Sequence, residues 1–210
     1  FRNPTYRTTG NFMKKGSFIV IEGPDGSGKT TIALRLKEIL SEKYDIVHTR
    51  EPGGIDIAEQ IRNIILDPKN TAMEAKTEAL LYAASRRQHL VEKVIPALKR
   101  GSIVLCERFV YSSLVYQGYA RGLGIDAVYD INRFAIGDTM PDLVLYLDVD
   151  EKTGLSRVNS RGNKDRLDGE SSDFHKKVVE GYQLIKERFS DFKVVDASRS
   201  ADEVLEDCLD

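Results

Sequence analysis

The chain has 210 residues, 41% hydrophobic and 30% charged, enough apolar material for one buried core and too little length for two large domains. With 16 Gly and 6 Pro it is neither collagen-like nor low-complexity. Lys plus Arg number 31 against 33 Asp plus Glu, a net charge of −2, so no global basic field points to nucleic acid or an anionic membrane, and any phosphate recognition must be local.

Residues 1–12 are polar, aperiodic and contain Pro and Gly, which predicts a disordered leader, native or appended, ahead of a single domain over 13–210. From Ser17 onward short apolar runs alternate with longer amphipathic stretches, the pattern of βαβ units around a parallel sheet. Strands are expected at Phe18–Ile21, Ile46–Thr49, Ile103–Cys106, Leu143–Leu147 and Lys193–Val195. The first, third and fourth are apolar throughout, as strands covered on both faces must be, and are expected at the centre of the sheet. Ile32, Leu36, Ile39 and Leu40 repeat at helical spacing, as do Ile57, Ile61, Ile64 and Ile65. A further helix is expected over Thr77–Leu98, disturbed by Pro96. The segment from Asn159 to Ser172 is polar and charge-dense, too hydrophilic for core, and predicts a mobile loop.

No apolar run approaches the roughly 20 residues that span a bilayer. Phe18–Ile21 follows Lys14 and Lys15, but Glu22 ends the run too early for an export signal. Cys106 and Cys208 stand alone, without zinc-ligand spacing, which predicts neither a zinc site nor a disulfide and fits the cytoplasm.

Gly23, Pro24, Asp25, Gly26, Ser27, Gly28, Lys29 and Thr30 match G-x-x-x-x-G-K-[ST], directly after one expected strand and before an amphipathic helix that continues with Thr31. The glycines let consecutive backbone N–H groups curl around phosphate oxygens, and the helix start adds its positive dipole end. Lys29 then bridges the β- and γ-phosphates of ATP, and Thr30 offers its hydroxyl to Mg²⁺. The alternative is a chance Gly-rich turn. A phosphate loop alone does not separate kinases from switches or motors, but the Asn-Lys-x-Asp motif of guanine-reading GTPases is absent: the fourth strand ends Leu147-Asp148-Val149-Asp150.

Four further motifs follow. They are Thr49-Arg50-Glu51-Pro52-Gly53-Gly54; Leu81-Tyr82-Ala83-Ala84-Ser85-Arg86-Arg87-Gln88-His89; Glu107-Arg108-Phe109 with Ser112 to Gly118; and Asp165-Arg166-Leu167-Asp168 before Phe174-His175. In order and spacing, from about Ser17 to the C-terminus, the chain resembles bacterial thymidylate kinases. The resemblance implies a three-layer α/β P-loop NTPase fold with a five-stranded parallel sheet, order 2-3-1-4-5, and a lid over residues 159–172. It also implies transfer of the ATP γ-phosphoryl group to thymidine monophosphate (dTMP), with Mg²⁺, in a homodimer that binds neither nucleic acid nor membrane. Another nucleoside monophosphate kinase, or a nucleotide-binding switch without turnover, are the competing readings.

By the same resemblance Asp25 accepts a hydrogen bond from the acceptor's 3′-hydroxyl; otherwise it is a turn-stabilising carboxylate. Arg50, Pro52 and Arg108 fall to the acceptor nucleotide, both arginines at C-terminal strand ends where doubly wound sheets bind ligands. A guanidinium there suits a phosphate, or else pairs with a carboxylate such as Glu51 or Glu107. Tyr82 and Arg86, four apart on one helical face, supply an aromatic plane under thymine and a donor to its O4. Ser113 and Gln117 fall where the family reads the pyrimidine edge, and Tyr116 where it senses the 2′ position.

The phosphate loop holds no Arg, and the chain resembles those family members whose catalytic Arg sits in a closing lid; the resemblance thus implies a lid cation, with Arg161 and Arg166 the first choices beside Lys29 and Arg108. Their ordinary alternative is a solvated basic face. Glu107 departs from the Asp usual in the family, and its extra methylene shifts a carboxylate expected to organise Mg²⁺ with Thr30.

Overall fold

The computed structural model describes residues 15–160 and 165–210. In chain order its first half contains β1 (Ser17–Glu22), α1 (Lys29–Leu40), β2 (Ile46–Arg50), α2 (Asp56–Leu66), α3 (Ala75–His89), α4 (Ile95–Arg100) and β3 (Ile103–Glu107). Its second half contains α5 (Val110–Ser113), α6 (Ile125–Ile136), β4 (Leu143–Asp148), α7 (Glu151–Asn159), α8 (Ser172–Arg188), β5 (Phe192–Asp196) and α9 (Ala201–Leu209). The sheet is parallel, ordered β2-β3-β1-β4-β5, with the three wholly apolar strands in the middle as their composition requires.

The two-residue period of a strand divides the core in two. Phe18, Val20, Val104 and Cys106 join Leu90, Val94, Leu114 and Tyr182 in one layer. Ile21, Leu105, Leu145 and Leu147 join Ile32 and Leu36 of α1 and Val204 and Leu205 of α9 in the other. The register pairs Ile21 and Arg50 with Glu107, which brings the C-terminal ends of β1, β2 and β3 to one edge.

At that edge the chain between β1 and α1 turns on two glycines. Gly28, at φ 88°, lets the helix start abruptly at Lys29. Gly26, at φ 80°, lies so close to α7 that a Cβ would fall 2.2 Å from the Gly154 carbonyl oxygen, so only Gly fits.

Pro96 does not end its helix. A π-helical turn over Leu90–Val94, closed by the Ile95 N–H on the Leu90 carbonyl, precedes it, and the wider turn absorbs the donor that Pro96 lacks. A second π-helical stretch, Leu114–Ala120, follows α5; there the Arg121 N–H reaches the Tyr116 carbonyl at 2.9 Å. Such turns are common at functional sites, and this one carries Tyr116 and Gln117.

The second half of the expected loop is tied to the body of the protein. The Arg166 N–H bonds the Leu66 carbonyl at 3.0 Å, Arg166 Nε bonds that of Ile65 at 2.7 Å, and Leu167 is 7% exposed within the core. One leucine among charges is enough to fasten the segment. The expected leader, residues 1–12, and the lid residue Arg161 lie outside the described residues. Among the described residues no helix is long and apolar enough to cross a membrane.

Candidate active site

A cleft opens over the C-terminal ends of β1, β2 and β3, lined by Asp25, Gly26, Gly28, Lys29 and Thr30 of the phosphate loop, Arg50 and Pro52 after β2, Tyr82 of α3, and Glu107 and Arg108 after β3. Ser112, Tyr116 and Gln117 close it from behind, and Asp165, Leu167 and Asp168 from above.

Lys29 Nζ donates to the carbonyls of Gly23 at 2.9 Å and Pro24 at 2.8 Å and to Ser27 Oγ at 3.3 Å. It therefore fills the loop that a phosphate would enter. Burial pushes its ammonium down to about 7, helped by Arg108, while Asp25, Glu22 and Glu107 pull the other way. Nearby, Thr30 Oγ1 donates to Glu107 Oε2 at 2.6 Å, and His48 Nε2 lies 2.8 Å from Glu107 Oε1. Burial pushes the Glu107 carboxyl up, but the hydrogen bonds of His48 and Thr30 and the charge of Lys29 hold it below its ordinary value. A hydroxyl and an ionised carboxylate in contact, beside the phosphate loop, are hard oxygen donors that fit Mg²⁺. His48 on β2 thus engages the Glu107 oxygen that does not meet Thr30.

Arg108 has φ 65°, a left-handed backbone that costs a side-chain-bearing residue about 1–3 kcal/mol. Glu22, fully buried at the end of β1, holds the bend: its carboxylate accepts the N–H groups of Phe109 at 2.7 Å and Ser112 at 3.2 Å, and the hydroxyls of Ser112 at 2.7 Å and Tyr182 at 2.8 Å. The guanidinium so aimed ion-pairs with Asp25, whose other oxygen accepts the Tyr116 hydroxyl at 2.7 Å. Burial alone would raise the Asp25 carboxyl; Arg108, Lys29 and Tyr116 outweigh it and hold it at about 2. Arg50 pairs with Glu59 rather than either neighbouring glutamate, and both it and Arg62 donate to the Pro52 carbonyl, at 2.9 and 3.0 Å.

The family profile described as thymidylate kinase matches residues 21–208. The thymidylate kinase of Bacillus velezensis is 60% identical over 92% of this chain and 93% of its own length, and that of Clostridium novyi 55% identical over 93% and 97%. The crystal structure of thymidylate kinase from Ehrlichia chaffeensis superposes with a TM-score of 0.76 at 31% identity, covering 93% of this chain and 97% of that one. The chain belongs to the thymidylate kinase family. It is accordingly an ATP-dependent nucleoside monophosphate kinase built on the P-loop fold.

Of the positions matched to thymidylate kinase motifs, Asp25, Lys29, Thr30, Arg50, Pro52, Tyr82, Glu107, Arg108, Tyr116 and Gln117 meet in the cleft. Three do not. Arg86 is 2% exposed beneath the cleft wall, its N–H groups taken by Glu51 (2.6 Å from Nε), Asn132, the Phe109 carbonyl (3.0 Å) and Ser113 Oγ (3.2 Å). Ser113 is buried with it. For Arg86 to reach thymine O4 it must release an acceptor, and the long bonds to Ser113 are the weakest it has. Arg166 ion-pairs with Glu78 and donates from Nε to the Ile65 carbonyl at 2.7 Å, which keeps it out of the cleft lining.

Sequence reasoning missed Glu22, Glu78, Tyr182 and Arg62. A signal existed for Glu22: a carboxylate ending a wholly apolar central strand must find buried donors. Arg62, on an amphipathic helix, looks like any solvated arginine. Beneath the cleft, Glu51, His89 and Cys106 form the metal-capable cluster found among the described residues. Their donor atoms are already engaged, however: His89 lies between Thr49 Oγ1 (2.7 Å) and Glu51 (3.0 Å), and Cys106 Sγ contacts the Arg108 carbonyl at 3.2 Å.

Proposed function

We propose that the chain transfers the γ-phosphoryl group of ATP to dTMP, giving dTDP and ADP, in the presence of Mg²⁺ and in the cytoplasm. The observation that carries this reading is the Asp25–Arg108–Tyr116 cluster, which joins the phosphate loop to the wall where an acceptor nucleotide would lie. On this reading the backbone N–H groups of residues 23–30 and Lys29 hold ATP, with Thr31 continuing the segment. Lys29 exchanges its loop carbonyls for phosphate oxygens. Arg50, Pro52 and Arg108 position the acceptor phosphate, Tyr82 stacks under its base, and Gln117, Ser113 and Arg86 read the pyrimidine edge. Asp25 takes the 3′-hydroxyl, and Tyr116 bars a 2′ substituent.

An oxygen of the dTMP phosphate attacks the γ-phosphorus while the bond to the β–γ bridging oxygen breaks, and ADP leaves. The attacking oxygen is already anionic, so no general base is needed and positioning with charge neutralisation supplies the catalysis. Thr30 and Glu107 would hold Mg²⁺, which would supply charge neutralisation for the transferring phosphoryl group. Arg161 is assigned the lid contact to the migrating group.

The enzyme is proposed to act as a homodimer. The packed helices α2, α3 and α6 and the π turn after α3 leave Ile57, Ile64, Leu80 and Val91 exposed, and Phe134 is 93% exposed, which suits a second copy of the same surface. The test of the reaction is a screen of dTMP, UMP, CMP and AMP with ATP and Mg²⁺, following ADP. Turnover with dTMP well above the others is expected; equal turnover would indicate a broader nucleotide kinase, and none a switch.

A further inference from the structure

Gln117 is 1% exposed, lines the cleft together with Tyr82, and its Oε1 is a buried atom without a hydrogen-bond partner. Its Nε2 donates to Glu78 Oε1 at 2.8 Å. Glu78 is itself 1% exposed. It also accepts from Arg121, at 3.3 Å from Nε and 3.2 Å from Nη2, and forms an ion pair with Arg166 on its Oε2. Arg121 in turn pairs with Glu170 at 2.6 Å, so the segment that closes over the cleft is fastened to the same carboxylate.

An ionised carboxylate only accepts, so the Gln117 atom facing it must be the nitrogen. The remaining amide atom, an acceptor, is then presented to the base. A buried acceptor left unmatched is costly, and it is matched by the N3–H of thymine or uracil but not by the unprotonated N3 of cytosine. We infer that Glu78 is a positioning residue that fixes the orientation of the Gln117 amide, and through it the choice of a base that donates from N3, with Arg166 and Arg121 fastening it to the lid. Burial pushes the Glu78 carboxyl up, but the hydrogen bonds of Gln117, Arg166 and Arg121 hold it below its ordinary value, so it remains an acceptor at neutral pH.

This inference rests on the dTMP kinase reading, and the test separates the two. In Glu78→Gln the two arginines demand the new amide's oxygen on their side. Its NH₂ then faces Gln117, which must flip and offer a donor to the base. The dTMP:dCMP ratio of kcat/KM should fall at least tenfold, with dCMP turnover rising and the KM for ATP unchanged. In Gln117→Leu the ratio should also fall, and adding Glu78→Gln should change it no further. Should Glu78→Gln fold poorly, the unmodified enzyme decides: 3-methyl-dTMP, which lacks the N3–H, should bind at least tenfold more weakly than dTMP. An unchanged ratio in Glu78→Gln, or equal binding of the methylated nucleotide, overturns the inference. An unmodified enzyme that does not prefer dTMP overturns the functional reading instead.

Discussion

Asp25 of the phosphate loop and Arg108, in left-handed backbone after β3, form an ion pair that spans the two halves of the cleft. Because folding lowers the Asp25 carboxyl from 3.8 to about 2, its contribution to stability is present above about pH 3.8 and is lost as the pH falls toward 2. The shift corresponds to about 2 kcal/mol. Asp25→Asn should therefore lower the unfolding free energy by about that much near pH 6, a deficit that shrinks below pH 4. Urea titrations at the two pH values measure it; a deficit independent of pH would dissociate Asp25 from the pair.

Lys29 titrates in the opposite sense. Its folded value of about 7 lies below the ordinary 10.5, so between those values the unfolded chain binds the extra proton and stability rises with pH through the Lys29 contribution. Phosphate needs the ammonium form, so nucleotide binding at pH 8 should take up protons at Lys29. Calorimetry in two buffers of different ionisation enthalpy reads this uptake, and Lys29→Met should abolish it together with turnover, by on the order of a hundredfold or more. Equal proton uptake in both proteins would place the proton elsewhere.

The two lid arginines should separate. Arg166 holds Glu78 and the Ile65 carbonyl, so Arg166→Ala should lower thermal stability and raise the KM for dTMP. Arg161→Ala should lower kcat with little change in that KM, since its assigned contact forms only as the phosphoryl group moves. Steady-state kinetics of both variants decide, and a kcat loss confined to Arg166→Ala would reverse the assignment.

Phe134 supplies the test of assembly. A carboxylate at the centre of an apolar interface would be buried unpaired, so Phe134→Asp should sediment as a monomer where the unmodified enzyme sediments as a dimer. A dimer unaffected by the substitution would place the interface on another face.

The sheet was legible because burial on both faces leaves a plain record: Phe18–Ile21, Ile103–Cys106 and Leu143–Leu147 carry no polar residue, and only a central parallel strand demands that. The phosphate loop was equally plain, since its backbone needs Gly26 and Gly28 and its chemistry needs Lys29 and Thr30. The stretch from Val110 to Ile136 was not, because its helices are broken by a π turn whose five-residue spacing blurs the 3.6-residue period. The helix expected over Thr77–Leu98 does run on past Pro96, to Arg100, but the π turn that lets it do so leaves no mark in the sequence. Arg86 and Tyr82 lie four apart on α3, yet periodicity does not show depth: four acceptors from distant segments draw Arg86 below the cleft. Glu22 and Glu78 organise Arg108 and Gln117 through long-range hydrogen bonds, which leave no local pattern. Leu167 shows the same limit, a single apolar residue deciding where a charged segment lies.

Phosphorus NMR of an equimolar mixture of ATP, dTMP and Mg²⁺ with the enzyme tests the central claim most directly. The account predicts that ADP and dTDP appear in equal amounts as ATP and dTMP decline, and that Lys29→Met leaves the spectrum unchanged over the same interval. Release of inorganic phosphate with dTMP intact, or no loss of ATP in the presence of dTMP, would contradict it.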